Sequence, residues 1–306
     1  MNNNTEITSL ETAMKCAEKI LTKDINDDYL NNRTIIDNLF TINESNKLSE
    51  NKNKLNTEII TARLCVIDSL YATQMTKRLY VFQDLSKTIL ENGGRTDKAL
   101  RNKLIGYKNY IKNNSSDFEN DYNSIAKIFN SHYGIHKTTE DAGLAISLIS
   151  KYFYFVSNHT FPIYDTLVND NIFKVLSTID NDKCKKISSD QKIFINNNDD
   201  KKVALLKAII KNIDEKNFSR FDNLLWLLGK IRKHSFASFI AKDSYITIPS
   251  RLLNYDKEIK KAENEDKEKL QEYLEDLKGI QLFSSKQADN EFKRFLDFCL
   301  KVLIKQ

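Results

Sequence analysis

The sequence predicts an all-α, mainly helical protein. Three observations carry that expectation. Two prolines and seven glycines in 306 residues leave few breakers of long helices. A hydrophobic fraction of 41% is enough to build a core. Apolar residues recur mostly at helical spacing rather than in alternation.

Taken in order, residues 1–57 form a polar N-terminal segment with one helix, from Leu10 to about Leu21. Residues 43–56, "NESNKLSENKNKLN", have the composition of a loop. A helical core is expected over 58–250. Its first helix spans 58–80, with Leu64, Ile67, Tyr71 and Met75 on one face. Helices follow at 81–91, closed by Gly93 and Gly94, then at 97–112 and 117–131. Thr138 and Asp141 form a capping pair ahead of an apolar helix that runs to Ser157. Further helices are expected at 166–178, 201–213 and 219–232. Two short stretches, 191–196 ("QKIFIN") and 244–249 ("SYITIP"), alternate like strands. From Arg251 the composition turns strongly charged, and 251–306 is read as a C-terminal helical extension: a charged helix over 256–278, apolar at Ile259, Leu270, Tyr273, Leu274 and Leu277, and an amphipathic helix over 291–306. No internal repeat is present.

Several functional classes are disfavoured by composition. The four cysteines, Cys16, Cys65, Cys184 and Cys299, are too scattered for an ordinary zinc or iron–sulfur motif, so neither a metal nor another cofactor is expected. There is no signal-like start and no run of about 18 apolar residues, so the expected location is cytoplasmic, with no membrane partner. Net charge is +5 overall, but twelve Lys/Arg face five Asp/Glu between residues 51 and 112. That local excess suits a polyanion such as duplex or single-stranded DNA, and equally suits a solvated lysine-rich surface.

The least generic stretch is "LISKYFYFVSNHTFPIYDTLV", residues 148–168. Ala145, Leu148, Ile149, Tyr152, Phe153, Phe155 and Val156 cover most of the helix circumference, the pattern of a helix buried on several sides. Ser147, Lys151, Tyr154 and Asn158 form one polar stripe by steps of four, three and four. An amine in such a helix either snorkels to water or faces a cleft, where it can meet an anion or act as a nucleophile. Pro162 then breaks the helix. Asp165, three residues on, suits two roles: N-cap of the next helix, or a carboxylate held at that helix N-terminus to stabilise positive charge. A second intrusion is Asp68, which shares a face with Leu64 and Tyr71 and calls for a cation, with Arg63, Arg78 or a lysine as options. Lys77 and Arg78 end that helix. Lys230, Arg232 and Lys233 follow the only tryptophan, Trp226, as a basic cluster suited to phosphate contact.

The segments Ser150-Lys151-Tyr152 and Phe161-Pro162-Ile163-Tyr164-Asp165 resemble the SKY…FP-(I/V)-(Y/W)-D signature of bacterial proteins with an 8-oxoguanine DNA glycosylase-like fold. These are divergent members of the helix-hairpin-helix DNA glycosylase superfamily. The resemblance covers roughly residues 58–240. It implies a helix-hairpin-helix core, DNA as partner, and cleavage of the N-glycosidic bond of a modified or damaged base, in repair or phage defence. It also implies that Asp165 is the catalytic carboxylate. Two departures stand out. The hairpin candidate Gly134-Ile135-His136 has one glycine where relatives have G-x-G, and Lys151 does not occupy the family's hairpin-lysine position. Lys151 therefore enters on its own chemistry, as a candidate amine. Ser147, Tyr154, Tyr164, Asp68 and Tyr71 are candidates for the pocket that receives an extruded base. Two other readings stay open: a non-catalytic nucleic-acid-binding protein, and a helical interaction protein that docks a partner through 251–306.

Overall fold

A computed structural model of the chain describes residues 6–22, 33–40, 55–71, 82–131, 133, 144–232, 252, 267–281 and 286–304. Among these the protein is all-α, with thirteen α-helices, two short 3-10 turns and no strand. The helices are α1 (Leu10–Thr22), α2 (33–40), α3 (Thr57–Tyr71), α4 (Phe82–Gly93), α5 (Asp97–Asn113), α6 (Glu119–Asn130) and α7 (Ile146–Val156). They continue with α8 (Thr166–Ile179), α9 (Asn181–Asn196), α10 (Lys201–Asn212), α11 (Phe218–Arg232), α12 (Lys267–Lys278) and α13 (Lys286–Leu303). No helix among the described residues is long and apolar enough to cross a membrane.

Two expectations about elements are corrected. Residues 191–196 are the last turns of α9, not a strand. The alternation of Ile193 and Ile195 misleads when read alone. In the longer window Cys184, Ile187 and Phe194 recur at helical spacing, and Asp180 starts the helix by accepting from the Lys183 N–H at 3.1 Å. The N-terminal segment holds a second helix, α2, whose Ile36 and Phe40 are buried. The 43–56 loop, except its last two residues, the capping pair Thr138 and Asp141, the Gly134 hairpin candidate and the 244–249 stretch lie outside the described residues.

The chain divides into two compact units. One comprises Asn32–Tyr164 and Lys186–Ser219, the other Met1–Asn31, Asp165–Lys185 and Arg220–Gln306. Neither coincides with the segments 1–57, 58–250 or 251–306.

In the larger unit, α5 is the central helix and packs on α4, α6, α7 and α10. Thr96 caps it, accepting from the Ala99 N–H at 3.0 Å. At Gly106 the approach of α6 is so close that a Cβ would fall 2.7 Å from that of Asp121, which explains a glycine inside a long helix. The core carries charge. Arg63 of α3, 2% exposed, makes a two-pronged pair with Asp97 at 2.8 and 2.9 Å, donates to the Leu39 carbonyl, and lies 4.2 Å from the Phe40 ring centre. Lys207 of α10, fully buried, is held by both oxygens of Asp199 and by the Tyr122 hydroxyl.

In the other unit, α13 packs on α1, α8 and α12. Phe292, Phe295, Leu296, Cys299 and Val302 form its buried stripe. The C-terminal helix thus completes this unit's core rather than extending from it. Cys16 of α1 donates to the Glu291 backbone at 3.5 Å, and burial, with Glu291 adding, pushes its thiol pKa up to about 12. Gly229 of α11 admits Leu167 of α8, whose Cδ2 would lie 2.6 Å from an added Cβ.

Two outcomes follow from this packing. Replacing Asp97 by Ala leaves the Arg63 guanidinium buried without its carboxylate. It should cost about 3–5 kcal/mol of unfolding free energy in urea titrations. Deleting residues 286–306 uncovers α1 and α8. The truncated chain should lose cooperative unfolding of that unit in calorimetry, and its Cys16 should become reactive to thiol reagents.

Candidate functional site

Helix α7 is buried almost throughout, as its apolar circumference predicts: every residue from Leu148 to Ser157 is buried. Phe153 packs edge-on against Phe129 and Phe161, and Tyr152 edge-on against Phe40. Ser147 is half-exposed and Asn158 exposed, but Lys151 and Tyr154, between them on the stripe, are buried. Lys151 does not snorkel. It is 3% exposed, donates to Ser147 Oγ at 2.8 Å one turn earlier, and lies 5.6 Å from the Tyr71 ring centre. Tyr71 meets Phe155 edge to face at 5.9 Å. Asp68 is buried on the same helix as Tyr71. Arg63, the cation nearest it in sequence, is paired with Asp97 instead.

The helix ends in two consecutive left-handed residues, Asn158 (φ 53°) and His159 (φ 65°). Asparagine and histidine tolerate that region better than most side chains. The reversal lets the His159 N–H reach the Tyr154 carbonyl at 2.8 Å and folds the imidazole back onto the Tyr154 ring, 4.4 Å between centres.

The loop that follows is fixed by buried polar groups. Lys108 of α5, 3% exposed, donates to the Thr160 carbonyl at 2.8 Å and to Glu215 at 2.6 Å. Burial depresses its pKa, and the Glu215 carboxylate opposes that. Ser150 Oγ accepts the Tyr164 N–H at 3.0 Å. Phe161, Pro162, Ile163 and Tyr164 are all buried.

Asp165 begins the other unit and takes the capping role. Its backbone is extended (φ −148°), and its Oδ1 accepts the Val168 N–H at 2.9 Å. The carboxylate therefore sits at the N-terminus of α8, where the helix dipole favours negative charge. In the same unit, Arg232 donates to the Asp170 carbonyl and Asn171 Oδ1, both at 3.4 Å, tying the end of α11 to α8. Lys230 lies 5.3 Å from the Trp226 ring centre. Lys77, Arg78 and Lys233 lie outside the described residues. Lys151, Ser147, Tyr154, Tyr164, Asp68 and Tyr71 belong to the larger unit, and Asp165, Lys230 and Arg232 to the other. Among the described residues no group of three His, Cys, Asp or Glu side chains could hold a metal ion.

Sequence reading missed a cluster at the end of α7. Arg33 and Asp37, one turn apart on α2, grip His159 from two sides. Asp37 Oδ1 lies 2.7 Å from Nε2, and Arg33 Nη2 lies 3.3 Å from Nδ1. Arg33 also donates to the Tyr154 hydroxyl and to Ser219 Oγ, the latter at 2.8 Å. The signal was present in the i, i+4 spacing of Arg33 and Asp37, but it lay in the polar N-terminal segment, where one helix alone was expected.

No family model, no curated protein and no solved structure matches the chain.

The loop geometry makes a prediction. Replacing Lys108 by Met removes the donor to Thr160 but leaves Glu215, 45% exposed, free to hydrate. Stability should change by no more than about 1 kcal/mol. The backbone amides of 157–164 should nevertheless exchange faster in hydrogen-exchange measurements, because the loop loses its buried tether.

Proposed function

We propose that this chain is a DNA glycosylase-like enzyme that breaks the N-glycosidic bond of a modified or damaged base, with Asp165 as its catalytic carboxylate. The observation that carries the reading is the Phe161–Asp165 segment itself. A buried, hydrogen-bonded loop delivers an aspartate to a helix N-terminus, and the segment resembles the motif in which glycosylase relatives carry their carboxylate. The position suits the chemistry. As the bond from C1′ to the base nitrogen breaks, its electron pair leaves on the base and positive charge grows on the sugar. A fixed carboxylate stabilises that charge and accepts a proton from the water that adds to C1′. The burial of Lys151 and its bond to Ser147 favour this water-using route over one with Lys151 as the amine nucleophile. DNA contact would draw on the basic residues of 51–112, with Lys77 and Arg78, and on Lys230, Arg232 and Lys233.

The second reading, a nucleic-acid-binding protein without catalysis, is favoured by the fact that Asp165 already has a structural task as cap. Docking of a protein through 251–306 has lost much of its motive, since the apolar stripe of α13 is covered within its own unit.

Asp165→Asn separates the readings. Asparagine still caps a helix, so melting temperature and DNA affinity should barely move. Base release from modified-base oligonucleotides should fall about a hundredfold or more. An Asn variant as active as the parent removes Asp165 from catalysis. A parent protein that binds DNA yet releases no base from any such oligonucleotide leaves the non-catalytic reading.

A further inference from the structure

Helix α9 is held lightly. Of its 16 residues, Ile187 alone is buried. From Lys186 onward the helix belongs to the larger unit. Polar ties fasten it there. Asp190 meets Lys211 and the Asn212 side chain, both at 2.7 Å, and the Gln191 amide donates to the Lys201 carbonyl at 3.3 Å. On the opposite side, Lys186, Ser189, Lys192 and Asn196 follow steps of three, three and four, and all are exposed. Between Lys183 and Asn198 the only acid is Asp190, which is turned toward α10 with its side chain 14% exposed.

The chain brings two more cations to the same end. Lys201 and Lys202 open α10, and both are exposed. The Gln191 bond to the Lys201 carbonyl holds them beside the last turns of α9. The positive end of a helix dipole disfavours cations in the first turn, so these lysines do not serve α10 itself. None of Lys186, Lys192, Lys201 and Lys202 pairs with a carboxylate among the described residues, whereas Lys207 and Lys211, further along α10, do.

We infer that this face of α9, with the first turn of α10, docks the phosphodiester backbone of a nucleic acid. Four exposed lysines without counter-charge are complementary to a polyanion. The neutral side chains among them, Ser189 and Asn196, donate to phosphate oxygens as lysine does. Ile193 is the one large apolar side chain exposed on the helix, at 51%. That is too little for the apolar face of a helix lying in a membrane surface, or for the apolar centre of a protein interface. The surface adds to the basic residues named above for the proposed function. It takes its nucleic-acid partner from that reading and needs no catalysis by Asp165.

The test uses the full chain and fluorescein-labelled DNA oligonucleotides, duplex and single-stranded, with affinity read by anisotropy over a salt series. The double variants Lys186→Gln/Lys192→Gln and Lys201→Gln/Lys202→Gln should each weaken binding at low salt by roughly tenfold, and should flatten the slope of log affinity against log salt by about two. The same pairs changed to Arg keep the charge and should bind like the parent. Lys15→Gln/Lys286→Gln removes equal charge from exposed lysines of α1 and α13 and should alter neither quantity. All these changes are to exposed side chains, and far-UV circular dichroism confirms that the variants fold. Absence of saturable binding by the parent overturns the inference together with both nucleic-acid readings. Binding that both α9–α10 Gln variants retain overturns the inference alone and leaves the proposed function standing. An equal loss in the Lys15/Lys286 variant assigns the effect to net charge and also overturns it. So does lysine-dependent binding to anionic phospholipid vesicles by a parent that ignores both oligonucleotides. Base release plays no part in the readout, so an inactive parent leaves the result intact.

Discussion

The buried pair of Arg63 and Asp97 is the contact around which the larger unit is organised. A guanidinium cannot enter a helical core unless its donors are used and its charge is met. Here the two oxygens of Asp97 take two donors, the Leu39 carbonyl takes others, and the face of Phe40 covers the cation. Three elements are fixed by one side chain: α3, which carries Arg63; the first turn of α5, which carries Asp97; and the end of α2. Asp97 is also in the first turn of α5, where the helix dipole welcomes a carboxylate. The orientation of α5 in turn sets where Lys108 can reach, and Lys108 holds the loop before Asp165. Core electrostatics and loop position are thus parts of one chain of dependence.

Much of this was legible in the sequence, for identifiable reasons. Helices α1, α3, α5, α8, α10 and α11 announce themselves by periodicity and by breakers at their ends. The all-round burial of α7 follows from its uninterrupted aromatic and aliphatic surface, and Asp165 as a cap follows from the proline three residues earlier. The polar partners were not legible. Asp68 and Arg63 are five residues apart on α3, yet the carboxylate that Arg63 chooses comes from 34 positions downstream. Likewise Lys108 meets Thr160 and Glu215, 52 and 107 residues away. Helical wheels report which face of a helix is polar; they are silent on which distant element supplies the counter-charge.

The 191–196 stretch and α2 failed for a different reason. In both, a short window was read without its flanks. A six-residue alternation is too brief to outvote the helical spacing of the 16-residue helix that contains it. An eight-residue helix flanked by asparagine-rich segments offers too few turns for periodicity to emerge. With α2 went the Arg33–Asp37 spacing, and so the grip on His159 was invisible until the backbone was placed.

The assembly of α1 against α13 has a consequence for biosynthesis. Cys16 and Glu291, in contact in the finished unit, are separated by 275 positions. A ribosome releases α1 well before α13. During that interval the face of α1 that packs on α13 lacks that cover. The larger unit carries most of its contacts between nearer segments and can consolidate first. The order of synthesis therefore separates the two units in time, and the contact between α1 and α13 can form only after the residues between them have been made.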